Sequence, residues 1–396
     1  MAVFGIKTID EVEVQGKRVL VRADLNVPIQ DGQIMSEARI VASLPTIQRA
    51  LVRGARWVMV MSHLGRPKGP DPRYSLRPVA ERLSHHLKQP VRFVPDWIDG
   101  IEPPPKEGEL LLLENVRFLK GETENDPALG RKMAALCDLF VMDAFASAHR
   151  AHASTYAVAQ FAPEVCAGLL LARELEALSR ALDRPERPLL AIVGGAKVST
   201  KLGVLTNLIE RVDRLIVGGG IANTFLAAVG YPIGRSLHEP ELIPEAKRLL
   251  SRSKERGAEI PLPEDVVVAK TFAADAEAVV KPVAEVADGE MILDIGPKTA
   301  ERYGQEIGKA RTIVWNGPVG VFEWDRFAAG TRRIAEAIAS SSAVSIAGGG
   351  ETVAAIEKFG VAEKISYIST AGGAFLQFLE GKPLPAIEIL KKRSGN

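Results

Sequence analysis

Short, almost unbroken runs of Val, Leu, Ile and Met recur along this chain, and stretches with helical periodicity lie between them. In the first half the runs are Arg18–Val27, Arg56–Met61, Val91–Val94, Leu110–Leu113 and Leu139–Met142. Continuous apolar runs, rather than alternating ones, suit parallel strands covered on both faces. Leu76–Lys88 carries Leu76, Val79, Ala80, Leu83 and Leu87 at i, i+3, i+4 spacing, which places them along one side of a helix. The second half repeats the rhythm with Leu189–Val193, Arg214–Val217, Val266–Ala269, Thr312–Trp315 and Ala343–Ile346. This alternation predicts an α/β fold built from doubly wound, Rossmann-like parallel sheets.

The 396 residues are enough for two such domains. Between the halves, Leu169–Leu182 has no Gly or Pro inside it and is closed by Pro185 and Pro188. It predicts one long hinge helix joining two lobes.

Glycine clusters stand directly after strand candidates of the second half: Gly194-Gly195-Ala196-Lys197, Gly218-Gly219-Gly220, Gly317-Pro318 and Gly348-Gly349-Gly350. Three of them precede helices that start near Ser199, Ile221 and Glu351. Backbone N–H groups in such loops approach a phosphate closely, and a helix N-terminus adds about half a positive charge. Ligands of open α/β sheets sit at the carboxyl ends of the strands, where these loops fall. The pattern predicts nucleotide phosphate binding. No GxxxxGK[ST] and no GxGxxG is present, which argues against a P-loop ATPase and a dinucleotide dehydrogenase. Lys197 and Lys201, at i, i+4 spacing, are expected on one helix face as a phosphate clamp.

The first half carries arginines just past strand ends: Arg66 in Ser62–Pro67, Arg117 in Glu114–Phe118, Arg150 in Ala148–His152, with Arg39 beyond Asp24-Leu25-Asn26. Guanidinium forks match carboxylate and phosphate geometry. Five of the six histidines also lie within the first 152 residues, of which His85 and His86 read as exposed helix positions. The net charge is only +1, from 50 basic and 49 acidic residues, so no global field recruits nucleic acid or an anionic membrane. The ligand of this lobe is expected to be a small molecule with phosphate and carboxylate groups, and the chain a kinase whose lobes must close. Cys137 and Cys166 form no disulfide framework and read as buried, reduced thiols of a cytoplasmic protein. No apolar run approaches a membrane span, and no CxxC or HExxH spacing offers a metal site.

At these residues the chain resembles the phosphoglycerate kinase family. The matching segments run in order through Val21–Pro28, Ser62–Pro67, Glu114–Phe118, Asp143–Ser154, Gly194–Lys201, Gly218–Leu226, Asp294–Thr299, Trp315–Glu323, Gly348–Thr352 and Ser369–Phe375. The resemblance implies a glycolytic, Mg2+-dependent transfer between ATP and 3-phospho-D-glycerate, giving ADP and 1,3-bisphosphoglycerate. The sequence shows no pattern for an oligomer interface, so a monomer is expected. It implies that Asp24, Asn26, Arg39, His63, Arg66, Arg117 and Arg150 hold phosphoglycerate. It also implies that Lys197, Lys201, Gly219, Asn316, Glu323, Gly349, Gly350, Glu351 and Thr352 hold the nucleotide. Arg39, Lys197, Gly372 and Gly373 are the expected catalytic groups, and Glu351 the expected carboxylate for the Mg2+ that the nucleotide carries.

The domain bounds that go with this are 1–168 for phosphoglycerate, 169–185 for the interdomain helix, 186–375 for nucleotide, and 376–396 for a segment packing back on the first domain. Ser369-Thr370 is a second hinge candidate beside the helix. Three positions depart from the family pattern. Glu351 stands where the family usually has Asp, Ala146 where Gly is common, and Ala371 where Gly is also seen. Arg39 and Lys197 are both present, which disfavours a non-catalytic two-lobe binding protein.

Overall fold

The computed structural model describes residues 4–369 and 371–394. The chain divides into two compact units. One comprises Met1–Glu176 with Pro383–Asn396, the other Ala177–Lys382.

In the first unit, β1 (Arg18–Arg22) is followed by a short hairpin of β2 (Ile29–Gln30) and β3 (Gln33–Ile34), then α1 (Ala38–Val52) and β4 (Trp57–Met61). Next come α2 (Arg77–Leu87), β5 (Val91–Val94), β6 (Glu109–Leu113), α3 (Pro127–Ala135), β7 (Leu139–Met142), α4 (Val158–Phe161) and β8 (Glu164–Ala167). Six strands form one sheet in the order β5-β6-β4-β1-β7-β8, every pairing parallel. Val19, Leu20 and Val21 on β1 and all four residues of β7 are buried, as parallel strands covered on both faces require. The first strand is shorter than its apolar run predicted. It stops at Arg22, and Ala23–Val27 continue as an irregular segment that carries polar side chains past the sheet edge.

Helix α5 (Leu169–Leu182) spans the division between the units. The second unit continues with β9 (Leu189–Val193), α6 (Leu202–Ile209), β10 (Arg214–Val217), α7 (Gly219–Ala228), α8 (Ile243–Arg256), β11 (Asp265–Ala269), β12 (Val279–Pro282) and β13 (Met291–Ile295). It ends with α9 (Pro297–Lys309), β14 (Thr312–Asn316), α10 (Ala329–Ser340), β15 (Val344–Gly348), α11 (Gly350–Lys358), β16 (Tyr367–Ser369) and α12 (Gly372–Leu379). Its main sheet is parallel, in the order β10-β9-β14-β15-β16.

One strand expectation needs correction. The Val266–Ala269 run belongs not to the parallel sheet but to a separate antiparallel sheet, β12-β11-β13. A fully buried apolar run looks the same in either setting, because the difference lies in its pairing partners. The last described helix, α13 (Pro385–Ser394), docks within the first unit: Ala386 N–H donates to the Ala148 carbonyl at 3.2 Å, and Arg393 donates to the Ala162 carbonyl at 2.7 Å. Contacts group Pro383–Asn396 with the first unit, while α12 lies in the second, where Asn207 on α6 donates to the Leu379 carbonyl at 2.7 Å. The hinge candidate Thr370 lies outside the described residues. Among the described residues no helix is long and apolar enough to cross a membrane.

Candidate active site

Each parallel sheet has a switch point where the chain turns from one side of its first strand to the other, and a crevice opens there at the carboxyl ends. In the first unit β1 is flanked by β4 and β7. Asp24 and Asn26 follow β1, His63 follows β4, Arg117 sits in the turn after β6, and Arg39 lies in the first turn of α1. Arg39 Nη1 donates to Asp24 Oδ2 at 2.7 Å, and Asp24 is only 4% exposed. Asn26 Oδ1 accepts from the Gly65 N–H at 2.8 Å, while Arg117 donates to the Gly65 carbonyl. Both residues thereby pin the loop that carries Arg66, whose side chain is exposed. Arg150 Nε donates to His149 Nε2 at 3.0 Å.

The cluster is electrostatically unbalanced. Burial, together with Arg150, Arg22 and Arg66, pushes the Arg117 guanidinium down to about 10, and its Nε is buried with no hydrogen-bond partner. A desolvated cation with an unused donor is a receptor for an anion.

Behind it lies a network that the candidate residues did not include. Arg22 is 1% exposed; its Nε donates to Ser154 Oγ at 3.0 Å, and Ser154 Oγ donates to Glu122 Oε1 at 2.6 Å. His152 Nδ1 lies 3.8 Å from the same carboxylate oxygen. Burial and the charges of Arg117, Arg22 and Arg150 push His152 down to about 4. Arg22 had a sequence signal, being a charge placed between the apolar Val19-Leu20-Val21 and Ala23, which only a buried partner makes tolerable. Glu122 and Ser154 had none, because they reach Arg22 only through the fold. His86, read as an exposed helix residue, instead meets Glu37 at the start of α1, with Nε2 2.6 Å from Oε2.

In the second unit the switch point falls between β9 and β14. Lys197, Lys201, Asn316, Gly349, Gly350, Glu351, Thr352 and Gly372 line one cavity there. Lys201 donates to Asn316 Oδ1, Asn316 Nδ2 donates to the Gly348 carbonyl at 2.7 Å, and Thr352 Oγ1 accepts from the Gly317 N–H at 2.7 Å. Burial lowers the Lys201 ammonium, opposed by Glu351 and Glu380. Gly349 caps α11 at φ +99°, and both α11 and α12 direct their N-terminal turns at this cavity through Gly350 and Gly372. Gly373 follows in α12 but does not line the cavity.

The two lysines do not share a helix face. Helix α6 starts at Leu202 with Lys201 as its cap, and Lys197 stands in the preceding loop. They converge on one cavity by loop geometry, which residue spacing does not report.

An adjoining cavity shares Gly195, Ala196 and Glu351 and is lined by Gly219, Glu323 and an apolar wall that includes Leu237, Phe272, Met291 and Val319. Apolar walls beside a glycine loop suit a flat aromatic base beside its phosphates. Such a wall leaves no motif, so sequence reasoning passed over it. Among the described residues no group of three or more acidic, His or Cys side chains could hold a metal. Glu351 offers a single hard oxygen donor, exposed, in the first turn of α11. That fits a Mg2+ held mainly by substrate phosphates and waters.

Known proteins agree with this picture. A family model described as phosphoglycerate kinase matches residues 9–382. The structure of phosphoglycerate kinase from Coxiella burnetii superposes with a TM-score of 0.95 at 52% identity, covering 98% of this chain and 100% of that one. The crystal structure of phosphoglycerate kinase from Pyrococcus horikoshii OT3 gives 0.80 at 35% identity, covering 98% and 99%.

Proposed function

The chain belongs to the phosphoglycerate kinase family, and from that premise we propose that it moves a phosphoryl group reversibly between ATP and the carboxylate of 3-phospho-D-glycerate, as a step of glycolysis. The observation that carries this reading is the buried, partnerless Nε of Arg117 amid Arg22, Arg66 and Arg150. Glu122 and Asp24 offset part of that positive charge, and an anionic ligand is the fitting partner for the rest. Asp24, Asn26, Arg39, His63, Arg66, Arg117 and Arg150 are its proposed receptor, within a phosphoglycerate domain over 1–168. The 186–375 domain, reached through the helix in 169–185, holds ATP or ADP.

In that domain Lys197, Lys201 and the N-terminal turns of α11 and α12 meet the phosphates. Asn316 holds Lys201 in place and Thr352 the loop at Gly317. Gly219 and Glu323 border the base and ribose region. Glu351 is the protein ligand for Mg2+, which draws charge from the phosphate oxygens when bound.

The chemistry asks little covalent work of the protein. A carboxylate is already a nucleophile, so no general base is needed. Catalysis is positioning plus neutralisation of charge on the phosphoryl group in flight. Arg39 supplies positive charge from one unit and Lys197 from the other, with backbone N–H groups of Gly372 and Gly373. Reaction requires the oxygen and phosphorus to approach to about 3–3.5 Å. Substrates held on two units therefore react only on domain closure, with transfer in line and no phosphoenzyme. The proposal includes action as a monomer in the cytoplasm.

A coupled assay of MgATP with 3-phosphoglycerate tests it, run beside Arg39→Ala and Lys197→Ala. Expected are turnover by the wild type and losses of about 10²-fold or more in kcat for each variant. A folded, ATP-binding wild type without turnover would overturn the reading.

A further inference from the structure

Arg22 Nη2 lies 3.2 Å from His63 Nδ1, and both side chains are buried. A guanidinium carries only N–H donors and keeps its proton in proteins. The imidazole nitrogen that faces it must therefore present a lone pair. A neutral ring with a bare Nδ1 has its hydrogen on Nε2. Arg22 has little freedom to turn away. Its Nε donates to Ser154 Oγ at 3.0 Å and its Nη1 to the Ala23 carbonyl at 2.5 Å. Ser154 is itself fixed, with Oγ and N–H both donating to Glu122, at 2.6 and 2.9 Å. Two direct bonds, and two more that fix Ser154, thus set the plane of the guanidinium and, through it, orient the imidazole.

We propose that Arg22 is a positioning residue that locks His63 as a neutral imidazole with its hydrogen on Nε2, so that His63 meets the phosphoglycerate as a hydrogen-bond donor and never as a cation or a base. The assignment rests on the placement of phosphoglycerate at the arginine cluster.

The surroundings of His63 agree from every side. Arg22 faces it from β1, Arg117 from the turn after β6, Arg39 from α1 and His152 from the segment before α4; with burial, all of them hold its protonation well below the ordinary histidine range. The two nearby carboxylates are engaged elsewhere, Asp24 with Arg39 and Glu122 with Ser154. A proton on Nδ1 would point at a cation that cannot accept it. The arginines then carry all the charge recognition, while His63 adds direction without charge, which fits a ligand that must also leave.

The test reads the tautomer directly, by long-range 1H–15N correlation on the full chain labelled with 15N-histidine. Expected for His63 is a protonated Nε2 and a bare Nδ1, unchanged from about pH 5 to 8, where a free histidine titrates near 6.5. A hydrogen on Nδ1, or titration near the free value, would overturn the lock. Added 3-phosphoglycerate is expected to shift the Nε2 resonance. A correct tautomer whose resonances ignore the ligand would remove the donor role and with it His63 from the substrate site, a failure distinct from failure of the lock.

Side-chain replacement gives an independent reading. His63→Gln keeps an amide donor near the Nε2 position, whereas His63→Asn leaves it short, near Nδ1. The KM for phosphoglycerate is expected to rise about tenfold or more in His63→Asn and clearly less in His63→Gln, with the KM for ATP unchanged in both. Equal rises would overturn the proposal. In Arg22→Met, where no guanidinium faces Nδ1, His63 is expected to lose its single tautomer and show a mixture of Nδ1–H and Nε2–H forms; where that variant fails to fold, the wild-type spectrum and the Gln and Asn pair decide.

Discussion

Asp24 Oδ2 accepts from Arg39 Nη1 at 2.7 Å, so a carboxylate just past β1 anchors the proposed catalytic arginine, which α1 supplies. Asp24 is almost fully buried while the Arg39 side chain is 31% exposed. The anchored end is held inside, and the rest of the fork remains available to a ligand.

Asp24→Asn should loosen that anchor without removing the guanidinium. The expected outcome is a fall in kcat/KM for phosphoglycerate of about 10- to 100-fold, the range for losing a charge-assisted bond. The KM for ATP should not move. Steady-state kinetics with each substrate varied checks this, and an equal effect on both would point to misfolding instead.

Gly349 sits at φ +99°, and a Cβ there would stand 2.7 Å from Asn316 Nδ2. Asn316 in turn receives the Lys201 ammonium. Gly349→Ala should therefore strain the loop and displace the lysine together, lowering stability by about 1–3 kcal/mol and nucleotide affinity by more than the stability loss alone explains. Thermal melts with and without MgADP separate the two effects.

Asp294 is buried on β13, where Oδ2 accepts from the Gly330 N–H at 2.8 Å and Oδ1 from the Ile295 N–H at 2.9 Å. Burial nevertheless pushes its carboxyl up to about 8. The folded state then binds a proton that the unfolded chain releases near pH 4. This contribution to stability is complete below about pH 4 and is lost as pH rises toward 8. Asp294→Asn should flatten the decline in Tm between about pH 5 and 8 relative to wild type. Parallel pH profiles for the two proteins would remove Asp294 as the cause.

Glu351 is one methylene longer than the Asp usual in the family. Mg2+ demands near-ideal octahedral geometry, so arm length should matter to its affinity. Glu351→Asp is expected to shift the Mg2+ dependence of turnover by about two- to tenfold while leaving the fold unchanged. Superimposable Mg2+ titrations would show that the carboxylate does not meet the ion.

Much of this protein was legible from residues taken in order. Apolar runs such as Leu139–Met142 and Leu189–Val193 mark buried parallel strands, because a strand covered on both faces has no polar side to show. Glycines after β9, β10, β14 and β15 mark loops whose backbones pack too closely for a side chain: a Cβ on Gly194 would stand 1.7 Å from the Pro318 carbonyl oxygen, and one on Gly317 2.3 Å from the Gly194 carbonyl oxygen. Leu169–Leu182 declares a helix because nothing in it interrupts one. What tertiary structure alone decided lies between segments far apart in the chain. Val266–Ala269 joined an antiparallel sheet because of β12 and β13, which its own composition does not mention. Lys197 and Lys201 met in one cavity through a loop, not a helix turn. Arg22, His63, Glu122 and Ser154 became one buried network only when the first sheet and its loops had formed. Local pattern reports which residues must leave water; which partners wait for their charges inside is settled by packing, because hydrogen bonds act over about 3 Å in space and not along the sequence.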